Sequence, residues 1–253
     1  MVYFVGAGPG DVELITVKGR RLLDAADCII YAGSLVNPEI LTGCQAETHD
    51  SSGLNLDEII AIMHIAWQQG GIVVRLHTGD PSIFGAIKEQ MARLDALDIP
   101  YEVIPGVSSA FAAAASLKAE LTLPEIAQTV IITRQEGRTP VPERERLKNL
   151  AIHQTTMLIF LSVGMMHKVV EELRAGGYPE ETPVAIVERA SWISQKIVRG
   201  TLSTICDLVA GEGITKTAMI CVGAVFADMP PKTVSKLYDK HFSHGTRKAK
   251  NDE

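Results

Sequence analysis

Short runs of aliphatic and β-branched residues alternate along the chain with stretches whose apolar positions recur every three or four residues. Residues 2–5 predict a strand. After a glycine-rich loop, a helix begins with Thr16 as N-cap and runs to Ala26. Residues 28–31 form a second strand candidate. Residues 54–67 have helical spacing that stops at Gly70-Gly71, where glycine takes the left-handed cap conformation. A third strand is expected at 72–76. Beyond a polar turn, Ile83, Ile87, Met91 and Leu94 recur at four, four and three residues, one face of a helix. Residues 101–104 read as a short strand and 111–117 as an alanine-rich helix suited to close packing. The pattern then restarts. Strands are expected at 129–133, 156–161 and 182–188. Met166, Val169, Val170 and Leu173 mark a helix ended by Gly176-Gly177. Alternation over 195–199 predicts a half-exposed strand. Ile205, Leu208 and Val209 mark a short helix, and 217–225 is a last apolar strand.

Alternation of this kind is the signature of α/β architecture. The stretch 119–128, centred on Pro124, is the expected linker, which gives two α/β domains at 1–120 and 125–230. A polar tail, 231–253, follows Pro230-Pro231 and ends in a basic stretch with Arg247, Lys248 and Lys250 that is expected to be mobile.

Composition narrows the function classes. The 253 residues carry 24 Lys and Arg against 30 Asp and Glu, a net charge of −6, which disfavours binding to nucleic acid through phosphate contacts. The longest nearly apolar run, 157–166, is too short to cross a bilayer and is interrupted by Ser162 and Gly164. The chain starts directly on a strand pattern, so no signal peptide is read. Four cysteines (Cys28, Cys44, Cys206, Cys221) form no CxxC pair and are too sparse for a disulfide framework. A soluble, reduced, cytoplasmic protein is expected.

Ligands of open α/β sheets bind beyond the carboxyl ends of strands, and three such ends are unusual here. Gly6-Ala-Gly-Pro-Gly-Asp11 is open yet stiffened by Pro9. Gly6 and Gly8 fit the dinucleotide fingerprint G-x-G-x-x-G, but its third glycine falls on Asp11, whose charge also repels a pyrophosphate. A plain tight turn stays open as the alternative. Thr78-Gly-Asp-Pro-Ser82 either offers a carboxylate and free amides to a ligand, or simply caps the next helix through Asp80 with Pro81 at its first position. In Pro105-Gly-Val-Ser-Ser109, either serine can cap the following helix.

Taken in order, Gly6-Ala-Gly-Pro-Gly-Asp11, His77-Thr-Gly-Asp-Pro81 and Ile104-Pro-Gly-Val-Ser-Ser109 resemble the S-adenosylmethionine-dependent tetrapyrrole methyltransferases, over essentially the whole chain to about Phe226. Within that family, Tyr31-Ala-Gly-Ser-Leu-Val36, Thr133-Arg-Gln-Glu-Gly-Arg-Thr-Pro-Val-Pro142 and Ser235-Lys-Leu-Tyr-Asp-Lys240 are similar to the branch that methylates C11 of precorrin-4 or its cobalt-bearing form. The basic tail is similar to the cobalt-dependent one. The resemblance implies two α/β domains with the active site in the trough between them, a homodimer, and a role in building the corrin ring of cobalamin. It implies cofactor contacts, residue by residue, at Pro9, Thr78, Gly79, Asp80, Ile83, Ser108 and Ser109, and further along at Ser162, Ala190, Thr217 and Ala218.

Methyl transfer from a sulfonium is an in-line displacement at an already activated group, so the protein mainly positions two reactants and excludes water. Asp80 is therefore expected to position rather than to move a proton. No metal site is expected: the seven histidines (His49, His64, His77, His153, His167, His241, His244) contain no HExxH, and His241 and His244 read as an exposed tail. The implied substrate is a small polyanion rich in carboxylates. Arg134 and Arg138, in a loop stiffened by Pro140 and Pro142, are expected to hold those carboxylates through planar guanidinium forks. Arg75, Arg189, Lys196 and Arg199 are further candidates, while Trp67 and Trp192 read as core or interface. A same-fold methyltransferase acting on another tetrapyrrole position, a protein or RNA stays open, as does a nucleotide-dependent oxidoreductase.

Overall fold

A computed structural model describes residues 1–227 and 235–249. The chain divides into two compact units, one made of Met1–Ala113 with Arg189–Gln195, the other of Ala114–Glu188 and the residues from Lys196 onward. The stretch expected to link two domains, 119–128, thus lies inside the second unit.

The first unit is built on a wholly parallel sheet. Its strands are β1 (Val2–Gly6), β2 (Cys28–Tyr31), β3 (Glu47–Asp50), β4 (Val73–His77) and β5 (Tyr101–Ile104), in the order β3-β2-β4-β1-β5. Parallel strands covered on both faces read as continuous apolar runs rather than alternating ones. On one face Val2, Phe4, Ile30 and Val73 pack against Ile59, Ile60 and Met63 of α2 (Leu56–Gln68) and Leu94 of α3 (Ile87–Asp95). On the other, Val5, Ile29, Val74, Leu76 and Ile104 meet Leu23 of α1 (Val17–Asp24). Thr16 caps α1 by accepting from the Gly19 amide, and a reciprocal Asn55–Glu58 capping box starts α2. The helix α4 (Ser109–Leu117) follows β5.

Two departures from the sequence pattern have clear causes. The strand β3 reads Glu-Thr-His-Asp, with no apolar alternation to announce it, because it is an exposed edge strand that among the described residues pairs with β2 alone. The helix α3 starts one turn later than the spacing of Ile83 suggests, because Phe84 and Ala86 adopt left-handed φ angles of 54° and 48°.

Strand β4 also carries two buried polar groups. Arg75 donates from Nε to Gln90 Oε1 (3.2 Å) and from Nη1 to the carbonyl of Ile30 (3.2 Å), and burial lowers its pKa to about 10. It is locked between sheet and helix, which corrects its candidacy as a substrate-binding arginine. Burial first, and then the Arg75 charge, lower the pKa of His77 from 6.5 to about 3, and its buried Nε2 has no hydrogen-bond partner among the described residues. The consequence has a definite sign. Between about pH 6.5 and 3 the unfolded chain binds a proton at His77 that the folded chain does not, so stability falls as pH drops through that window. Unfolding in urea at stepped pH should show a shallower acid loss for His77→Phe than for the wild type. Parallel curves for the two proteins would refute this.

The second unit has a mixed sheet of β6 (Val130–Arg134), β7 (Thr156–Phe160), β8 (Pro183–Glu188), β9 (Lys196–Thr201) and β10 (Ala218–Val222), in the order β6-β7-β10-β8-β9. Strand β10 runs antiparallel to both neighbours. The helix α6 (Met166–Ala175) buries all four residues of its apolar stripe, Met166, Val169, Val170 and Leu173, against Ile159, Ile186 and Ile220 of the sheet. The helices α5 (Leu147–Ala151) and α7 (Ile205–Gly211) complete this core with Leu147, Ala151, Ile205 and Val209. The strand expected to reach residue 225 ends at Val222, because Gly223 turns the chain with φ 137°. Of the tail, Pro230, Pro231 and Lys250 lie outside the described residues. Arg247 donates to the carbonyls of Leu237 and Asp239, and His241 and His244 share no helix. Among the described residues, no helix is long and apolar enough to cross a membrane.

Candidate functional site

The three unusual loops leave the same end of the first sheet because their strands are adjacent, parallel and in register. Gly6 pairs with His77, and Val5 with Ile104. Glycine is required where these loops touch. A Cβ at Gly6 would lie 2.6 Å from both Gly106 Cα and the Gly79 carbonyl oxygen, and one at Gly106 would lie 2.2 Å from that same oxygen. Gly8 and Gly79 exchange backbone hydrogen bonds, of 2.8 Å from the Gly79 amide and 3.3 Å from that of Gly8.

Asp80 ties the second loop to the third. Its Oδ1 accepts from the amide of Ser82 (2.8 Å) and from the Ser82 hydroxyl, while Oδ2 accepts from the amide of Gly106 (2.8 Å). Burial raises its pKa, but these hydrogen bonds outweigh burial and hold the carboxyl below its ordinary value. The helix-capping alternative is excluded, since α3 begins six residues beyond Pro81 with Ala86 at its N-cap. Thr78 donates to the carbonyl of Leu35 (2.8 Å), and Ile83 donates its amide to the carbonyl of Asp80 (3.3 Å). Of the two candidate serines, the buried Ser108 caps α4, its hydroxyl accepting from the Ala110 amide (3.3 Å), which leaves the half-buried Ser109 beside it. Gly79, at φ 63°, points its missing side chain at the Ser109 amide, 3.5 Å away.

The first loop is held differently from what its glycines suggest. The carbonyl of Pro9 accepts from Trp192 Nε1 (2.9 Å), that of Gly10 from Asn37 Nδ2 (2.9 Å), and the Asp11 amide donates to Ser191 Oγ (3.0 Å). These backbone groups have protein partners rather than facing a ligand. Asp11, where a dinucleotide fingerprint needs glycine, caps a short turn by accepting from the Glu13 amide. Ala190 is buried in the same 189–195 segment.

In the second unit the pairings Arg134 with Phe160 and Ala218 with Glu188 align the ends of β6, β7 and β8 with the start of β10. Two exposed non-glycine residues there, Leu161 and Thr217, both have φ 55°, the kind of backbone strain that clusters at ligand sites. Thr217 and the half-buried Ala218 thus lie at this end. Ser162 is fully buried, accepting from the Gln135 amide (2.8 Å) and donating to the carbonyl of Phe160 (2.6 Å), so its hydroxyl pins two strand ends together.

The cations sort by partner. Arg134 donates to the carbonyls of Pro140 (2.7 Å) and Thr139 (3.2 Å) in its own loop. Arg199 donates to the carbonyls of Leu117 and Phe226, Lys196 pairs with Glu212, and Arg189 donates to Ser194. Arg138 is exposed and makes no hydrogen bond or ion pair with the described residues. The expectation that Arg134 and Arg138 act alike is thereby corrected: the first organises the loop, and only the second has its guanidinium free.

Comparison with known proteins shows the family and the fold. Residues 1–206 match the family model for tetrapyrrole (corrin/porphyrin) methylases. The chain is 61% identical over 252 residues to the cobalt-precorrin-4 C(11)-methyltransferase of Methanocaldococcus jannaschii, covering 98% of this chain and 96% of that protein. Among solved structures, a cobalt precorrin-4 methyltransferase of cobalamin biosynthesis superposes with a TM-score of 0.88 at 46% identity, over 89% of this chain and 95% of the other. A uroporphyrin-III C-methyltransferase from Thermus thermophilus, complexed with S-adenosyl homocysteine, gives 0.75 at 29% identity, over 91% and 95%.

Proposed function

We propose, for a chain that belongs to the tetrapyrrole (corrin/porphyrin) methylase family, that it transfers a methyl group from S-adenosylmethionine to C11 of cobalt-precorrin-4 or precorrin-4. The observation that carries the reading is the glycine cradle: Gly6, Gly79 and Gly106 bring three loop backbones together at the carboxyl ends of adjacent strands. The space in front of Gly79, which a side chain there would fill, fits a bound cofactor approaching Ser108 and Ser109 closely. S-adenosylmethionine, when bound, supplies a methyl group already activated on a sulfonium, so no residue has to activate it.

What remains for the chain is binding and orientation, in which alignment contributes up to roughly 7–11 kcal/mol in well-oriented reactions. Thr78, Gly79, Ser108 and Ser109 supply backbone and hydroxyl contacts, with Pro9 and Ile83 as the apolar parts. Asp80 fixes the relative position of two loops and stays ionised, because its three hydrogen bonds stabilise the charged form. Ala190 lies in the same unit as these loops, whereas the Ser162 hydroxyl is engaged by the Gln135 amide and the carbonyl of Phe160. Arg138 meets the carboxylates of the acceptor.

Gly79→Leu tests the cofactor placement. The added side chain projects over Ser108 and Ser109, and a left-handed φ in a leucine costs a further ~1–2 kcal/mol. Calorimetry should show S-adenosylhomocysteine affinity lowered by more than tenfold in the folded variant. Unchanged affinity would sink the placement. For the reaction, methyl-labelled cofactor offered with cobalt-precorrin-4, RNA and protein in parallel should label the tetrapyrrole alone, at C11.

A further inference from the structure

The glycine at position 10 is made necessary by a tryptophan. A Cβ there would fall 2.0 Å from Trp192 Cδ1 and 2.1 Å from its Nε1, so the indole lies directly on the Gly10 backbone. The same ring donates to the carbonyl of Pro9, and the preceding Ser191 accepts from the amide of Asp11. Residues 191 and 192 therefore grip three consecutive loop residues.

The gripping segment is itself preorganised. Arg189 and Ser191 hold left-handed φ angles of 48° and 69°. The Trp192 amide donates to the carbonyl of Arg189 (3.0 Å), and the Ser191 amide to Gln195 Oε1 (2.8 Å). The Arg189 guanidinium sits 5.9 Å from the indole centroid, where a cation is attracted to the ring face. Simple apolar burial does not account for this turn, because the neighbouring Ile193 is fully exposed. Two residues in strained backbone persist only where surrounding contacts over-determine them.

We infer that Trp192 is a positioning residue for the cofactor loop, seating the Pro9-Gly10-Asp11 turn by filling the space that glycine leaves at position 10. The inference rests on the cofactor reading above and deepens it. Trp192 acts through Pro9 and Gly10, so removing the indole loosens the turn while leaving the Gly6–Gly79–Gly106 cradle in place.

Because the indole and a methyl group at position 10 compete for one space, the two positions should be strongly coupled. Gly10→Ala should weaken S-adenosylhomocysteine binding by tenfold or more in calorimetry, and Trp192→Ala by about threefold to tenfold. The double variant should bind as Trp192→Ala does, the alanine penalty having vanished with the ring. Trp192→Phe keeps ring bulk but loses the N–H donor, so it should still be penalised by Gly10→Ala. The same non-additivity should appear in urea unfolding without ligand. If Gly10→Ala alone does not fold, recovery of a folded, binding protein on adding Trp192→Ala supports the same competition.

Additive penalties would overturn the clamp. Coupled stabilities with cofactor affinity unchanged in every variant would overturn the positioning role. A wild-type protein that binds no S-adenosylhomocysteine would instead overturn the cofactor reading, and that is measured before any variant is made.

Discussion

Gly106→Ala should destabilise the protein by about 3 kcal/mol and lower cofactor affinity well beyond tenfold. Overpacking of a tight interior by a methyl group costs typically 1–3 kcal/mol. Here the methyl group would meet backbone, 2.2 Å from the Gly79 carbonyl oxygen and 2.8 Å from Gly6 Cα, with no flexible side chain to yield. Any shift that relieves the contact also pulls the Gly106 amide from Asp80 Oδ2, a charge-assisted bond worth about 1.5–3 kcal/mol. Gly53→Ala supplies the control, since nothing lies within 4 Å of a Cβ there and its φ is not positive. Urea unfolding of the two variants, with calorimetry on whichever remain folded, settles the matter. A Gly106→Ala protein as stable as Gly53→Ala would mean that the three loops do not interlock.

Local pattern captured features that depend on local chemistry. The α6 stripe, the Thr16 cap and the glycine stop after α2 follow from helical period and orphan backbone groups at helix ends, and these appear in the structure. The three loops were legible because glycine, proline and aspartate at strand ends are uncommon enough to notice. What stayed hidden depends on partners distant along the chain. Arg75 looked like a spare cation until Gln90 and the carbonyl of Ile30 enclosed it. Ser162 looked like a ligand group, yet its hydroxyl joins β6 to β7 through the amide of Gln135. Trp192 sits in a stretch without periodicity, and its partner Pro9 lies 183 residues away. The one usable signal was a tryptophan three residues after an arginine between two strands, and it gave no hint of what the ring covers. Sequence spacing also treated Arg134 and Arg138 as equivalent, because it cannot see that backbone carbonyls at 139 and 140 bend back to the first of them.

That distinction yields the second large effect. Arg138→Ala should weaken binding of the carboxylate-rich tetrapyrrole about tenfold to a hundredfold, the equivalent of one charge-assisted contact of roughly 1.5–3 kcal/mol. It should leave cofactor affinity and the unfolding midpoint unchanged, because the side chain is exposed and has no protein partner among the described residues to lose. Arg138→Lys should recover only part of the loss, since lysine keeps the charge but not the planar fork. Added salt should weaken substrate binding by the wild type more than by Arg138→Ala, as screening acts on an exposed charge pair. Arg134→Ala should behave differently. Its guanidinium holds the carbonyls of Thr139 and Pro140, so its loss should loosen the loop, expose it to limited proteolysis and weaken substrate binding indirectly. Arg134→Lys should not restore the loop's protection, because one ammonium cannot reproduce a fork that spans two successive carbonyls. Equal proteolytic protection in Arg134→Ala and wild type would remove the clasp. Unaltered tetrapyrrole affinity in Arg138→Ala would show that the acceptor's carboxylates are held elsewhere. Arg189 and Lys196 would then be the exposed cations to replace next, each having to leave its present partner, Ser194 or Glu212, to reach a substrate.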